Sequence, residues 1–156
     1  ETREEAIFVG KLELIPAYTN EAEIARQEVA ALELLRQVRS NLNKTAKHIS
    51  SAFAQFQKMK VIRIPLLLDL ETGNYISWNN CLVENYGPGN KRIVYLPDYC
   101  TEENSRYEVY QQQVIGTLEE NGFECVLVDN EFLKYALQYR GSLHCMVKVL
   151  RRGGYA

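Results

Sequence analysis

The chain has 156 residues, a formal net charge of -2 and an ordinary apolar share of 46%, enough for one packed domain. Acidic and basic residues nearly balance, so composition argues against nucleic acid as a partner, and no apolar run approaches the roughly 20 residues of a membrane span. Cys81, Cys100, Cys125 and Cys145 lie 19, 25 and 20 residues apart without a Cys-x-x-Cys pair, which argues against an ordinary zinc site and reads as four free thiols.

Ala6 to Gly10 is short, apolar and β-prone, and Leu12, Leu14 and Pro16 extend the alternation, which predicts a strand pair or a strand and its exit. Thr19 and Asn20 precede Glu21-Ala22-Glu23, a capping pattern that opens a helix. Its stripe runs through Ala25, Val29, Leu32, Leu35, Val38 and Leu42, then on through Ala46, Ile49, Phe53 and Phe56, with Ser40-Asn41-Leu42-Asn43 as the place where it would break. Val61 to Leu68 reads as a strand in which Pro65 forces an edge or a bulge.

Asp69 to Asn74 is a turn and Tyr75 to Glu84 extended chain; a second turn at Tyr86 to Asn90 leads into Arg92 to Pro97, forming a hairpin. A second helix from about Glu103 carries Tyr107, Tyr110, Val114 and Leu118 and ends at Gly122, with the two tyrosines read as core packing. Phe123 to Val128 is a strand, Glu131 to Gln138 a short helix and Cys145 to Leu150 a last strand. The mixed connections predict an α/β or α+β domain over 1–156, with a strand-strand-helix-strand rhythm.

Cys145 is the first candidate for chemistry, because a thiolate is a strong nucleophile and Gly141 shortly before it admits close backbone approach. His144 adjoins it, but consecutive side chains of a strand point to opposite faces, so it is no proton-transfer partner. His48 reads as solvent-facing, and Asp69, Asp98 and Asp129 as turn or strand-end carboxylates.

Arg140-Gly141-Ser142-Leu143-His144-Cys145, with Leu118 to Cys125 and Val128 to Phe132 before it and Leu150-Arg151-Arg152 after it, resembles the C-terminal part of the protein-arginine deiminase catalytic domain, in the guanidino-modifying superfamily. That resemblance implies a pseudo-fivefold α/β propeller, of which this chain supplies about the last two modules. It implies a hydrolase that converts protein-bound arginine to citrulline and ammonia, with Cys145 as nucleophile and Asn80 and Arg140 lining the substrate pocket. The family's histidine and guanidinium-binding aspartates would precede Glu5, so the isolated chain is expected to be inactive until an upstream segment or second chain completes the site. The implied partner is an arginine-containing protein or peptide. No cofactor is evident, and calcium enters by family analogy alone.

Two other readings stand beside this one: a deiminase or amidinotransferase for a small guanidino compound, and a non-catalytic binding module or half of a two-chain assembly. The compartment stays open between the cytoplasm and secretion as an effector.

Overall fold

A computed structural model describes residues 5–15, 21–54, 59–87, 89, 91–100 and 105–128. The chain divides into two compact units, Glu1–Asn79 and Asn80–Ala156.

The first unit is built on a parallel strand pair. β1 (Glu5–Ile15) and β2 (Met59–Asp69) run side by side over their whole length, from Glu5 opposite Met59 to Ile15 opposite Asp69. Parallel neighbours need a crossover connection, and here it carries α1 (Glu21–Phe53), a single helix of 33 residues. Ser40-Asn41-Leu42-Asn43 does not break it. Helix propensity differs by only tenths of a kcal/mol for such residues, and Leu42 packs on the core cluster of Leu12, Leu35 and Leu68 together with Ala31 and Val38. That burial outweighs the local preference.

Gly10 permits the close fit of the two strands. A Cβ built there would stand 3.0 Å from Leu66 Cβ, so even alanine would require Leu66 to give by a few tenths of an ångström. Arg63 ties the layers together, donating from Nη1 to Asn43 Oδ1 on the helix and from Nη2 to the Gly10 carbonyl, both at 3.0 Å.

β3 (Asn74–Ser77) returns antiparallel to β2, opposite Leu66 to Asp69, giving the order β1-β2-β3. Pro65 therefore sits one residue before the β3 ladder begins. At that point β2 is hydrogen-bonded on one side only, so a missing N–H is tolerated. Asp69 is fully buried and its carboxylate accepts the Glu71 N–H at 2.9 Å, closing the turn into β3.

In the second unit, β4 (Leu82–Gly87) and β5 (Lys91–Pro97) form the expected hairpin, and β6 (Phe123–Val128) joins β5 in parallel, giving β4-β5-β6. The extended stretch expected from Tyr75 to Glu84 is instead two strands in different sheets. The β5–β6 crossover carries a 3-10 turn (Ser105–Tyr107) and α2 (Glu108–Glu120). Gly122, at φ +80°, ends α2 in the left-handed region that its lack of a Cβ allows. Val114 and Leu118 are buried on α2 as the periodicity implies; Tyr107 is buried in the preceding turn, while Tyr110 is only partly covered.

The propeller expectation is overturned. The described residues form two mixed three-stranded sheets with two α-helices and one 3-10 turn, and neither sheet closes or curls around a centre. Nor is one module repeated. The first unit runs strand, helix, strand, strand and the second strand, strand, helix, strand, with crossover helices of 33 and 13 residues. The expected short helix at Glu131 to Gln138 and last strand at Cys145 to Leu150 lie outside the described residues.

Leu35, at 3% exposure, is the residue of α1 most deeply set in the core cluster. Leu35→Ala is expected to cost about 2–5 kcal/mol, measured as a lowered urea midpoint.

Candidate functional site

The carboxyl ends of β5 and β6 are where an open α/β sheet would place a ligand crevice. Asp98 follows β5 there. Its N–H donates to the Val128 carbonyl at 3.1 Å, and its Oδ1 accepts both the Cys100 N–H at 2.9 Å and Gln111 Nε2 at 2.8 Å. Gln111, buried on α2, accepts the Tyr99 N–H on its Oε1 at 3.1 Å. These bonds lock the strand exit to the helix, so Asp98, like Asp69, has the turn and strand-end role that the sequence suggests for it.

The described cysteines are not activated. Burial pushes the Cys81 thiol up to about 11. Burial, then the carboxylates of Asp98 and Glu108, hold Cys100 at about 11, and burial followed by Glu119 does the same for Cys125. No group of three or more His, Cys, Asp or Glu side chains among the described residues is placed to hold a metal.

Of the three residues singled out for guanidine chemistry, Cys145 and Arg140 lie outside the described residues. Asn80 is partly buried at the start of the second unit, just before β4. No protein-family model, no curated protein and no solved structure matches the chain. With neither the propeller nor any match behind it, the deiminase resemblance is withdrawn. So are the hydrolase activity, the Cys145 nucleophile role within it and the related small-guanidine chemistries. The Gly-x-Leu-His-Cys element is a few residues long, too short to specify a fold.

Exposed apolar side chains are scattered singly over both units, Val109 on α2 among them, but on α1 they fall in line. Leu35 and Ala46 are buried and Val38 and Leu42 partly so, but Val29 is 72% exposed and Leu32 40% exposed. Ala22 and Ala25 are exposed too, and Ala22, Ala25, Val29 and Leu32 follow one another at three- and four-residue steps. Such steps line up side chains on one helix face. The stripe inferred from sequence is thus two stripes: Leu35, Val38, Leu42 and Ala46 lie on the covered side, while Ala25, Val29 and Leu32 belong to an outer face; Phe53 is exposed and Phe56 lies outside the described residues. That outer face continues through Arg36 and Arg39, both exposed.

Two measurements bear on this geometry. Alkylation of Cys81, Cys100 and Cys125 by iodoacetamide at pH 7.5, followed by peptide mass mapping, is expected to be slow, because thiols near 11 keep only about one part in a thousand or less as thiolate. The raised values also make stability fall as pH climbs from 9 toward 11, since the unfolded thiols ionise first. Gln111→Leu removes the bonds to Tyr99 and Asp98 and is expected to cost about 1–3 kcal/mol in denaturant unfolding.

Proposed function

We propose that the first unit is a docking module that receives a partner helix along the outer face of α1. The observation that carries this is Val29, 72% exposed in the third turn of α1 near Leu32, on a helix whose other face is already buried in the core. Single exposed apolar residues are ordinary on a protein surface. An aligned run of Ala22, Ala25, Val29 and Leu32 is not, because an apolar stripe turned to solvent gains about 1.5–3 kcal/mol per large side chain once covered.

The chemistry of the partner follows from what flanks the stripe. Beyond the stripe on the C-terminal side stand Arg36 and Arg39, while Glu23 and Glu33 lie beside its two ends. The helix that fits has apolar residues at alternating three- and four-residue steps, small residues with carboxylates nearby where it meets Arg36 and Arg39, and cations within reach of the glutamates. Opposite potentials set the register and direction of docking, while the apolar seam provides most of the affinity. The arginine-containing substrate, and the upstream segment or second chain expected to complete its site, have lost the chemistry that implied them.

A designed, fluorescently labelled helical peptide with that pattern is expected to bind saturably in an anisotropy titration. Val29→Asp with Leu32→Asp is expected to weaken binding at least about tenfold, since covering the exposed parts of the two side chains is together worth about 1.4 kcal/mol or more, with the far-UV circular dichroism unchanged. No saturable binding up to millimolar peptide would sink the proposal.

A further inference from the structure

We infer that the helix received on this face is α1 of a second copy of the chain, lying antiparallel to the first, an inference that rests on the docking reading above. The charge along α1 is segregated. Residues 21–33 carry four glutamates and one arginine, whereas residues 34–53 carry Arg36, Arg39, Lys44 and Lys47 and no acid. The helix macrodipole acts within the first and last turns, and α1 has no basic residue in its last turn. The dipole therefore does not account for the four cations.

Two copies placed antiparallel about a twofold axis set the acidic half of each against the cationic half of the other, and the favourable pairing is made twice. A parallel pair would set like against like. With the axis between residues 30 and 31, Val29 of one copy meets Leu32 of the other at the centre. Ala25 then faces Arg36, and Ala22 faces Arg39. The small alanines leave room for the arginine stems to lie across the helix, with their charged heads reaching outward. Arg26 and Glu33 stand beside the seam and pair across it. In the single chain Arg26 is bonded to Glu23 at 2.9 Å on the exposed surface, a contact that is exchanged at little cost.

The contact spans roughly 27 Å of helix and buries less than the ~1,200 Å² of a standard stable interface. A reversible dimer of micromolar or weaker dissociation constant is the expected species.

Sedimentation equilibrium of the full chain tests this. The expected result is a concentration-dependent shift from 18.0 kDa toward twice that mass, with a dissociation constant that rises as sodium chloride goes from low to high, because complementary charges are screened. Val29→Asp with Leu32→Asp is expected to leave the chain monomeric, and so is Arg36→Glu with Arg39→Glu, each with unchanged circular dichroism. A chain that stays monomeric at its solubility limit overturns the inference, as does a dimer that tightens with salt or survives the Val29 and Leu32 substitutions. A monomer that still binds the designed peptide leaves the docking reading standing; one that does not ends both.

Discussion

Two parallel strands cannot be joined by a tight turn, and the first unit follows from how that constraint is met. The pairing of β1 with β2 over eleven residues demands a crossover, and the crossover must bury enough apolar surface to offset the entropy of ordering a long connection. Leu35 against Leu12 and Leu68 does this, with Ala31, Val38 and Leu42 around it. β3, the Asp69 turn and the close approach at Gly10 are additions to that pair. The second unit meets the same constraint with a shorter helix, and there a polar lock from Gln111 to Asp98 and Tyr99 supplements Val114 and Leu118.

A helix of 33 residues offers more surface than a three-stranded sheet can cover. One stripe meets the sheet, and the remainder has to be polar or find another use. Past Leu34 the outer face is polar and cationic; before it, Val29 and Leu32 are apolar and exposed. The first unit is thus held together through one side of α1 and leaves apolar side chains exposed on another. Cys81, buried in the second unit, and the hydrogen-bonded carboxylate of Asp98, by contrast, are spent on structure.

Much of the fold was legible along the chain. Phe123 to Val128, the hairpin before it, the turn at Asp69 and the start of α1 at Glu21 appear where alternation, Pro and Gly placement and capping residues put them. The continuity of α1 was not legible, because Ser40, Asn41 and Asn43 weaken a helix only slightly and tertiary packing overrides them. The two faces of α1 were not separable either. Ala25, Val29 and Leu32 stand at the same three- and four-residue steps as Leu35, Val38 and Leu42, and periodicity alone joins them into one stripe. The resemblance built around Arg140 to Cys145 misled for a related reason: a short motif constrains a few neighbouring residues and says little about how sheets are assembled.

Local chemistry settled the identity of the elements, since capping, turn formation and strand alternation act between residues a few positions apart. The segregation of charge along α1 is equally a property of the chain, readable in the absence of any acid from 34 to 53. Which strands pair, in which direction, and which flank of α1 meets the sheet depend on contacts between residues some fifty positions apart, such as Leu12 with Leu66. Those long-range contacts turned Val29 and Leu32 outward, and no local pattern carries that information.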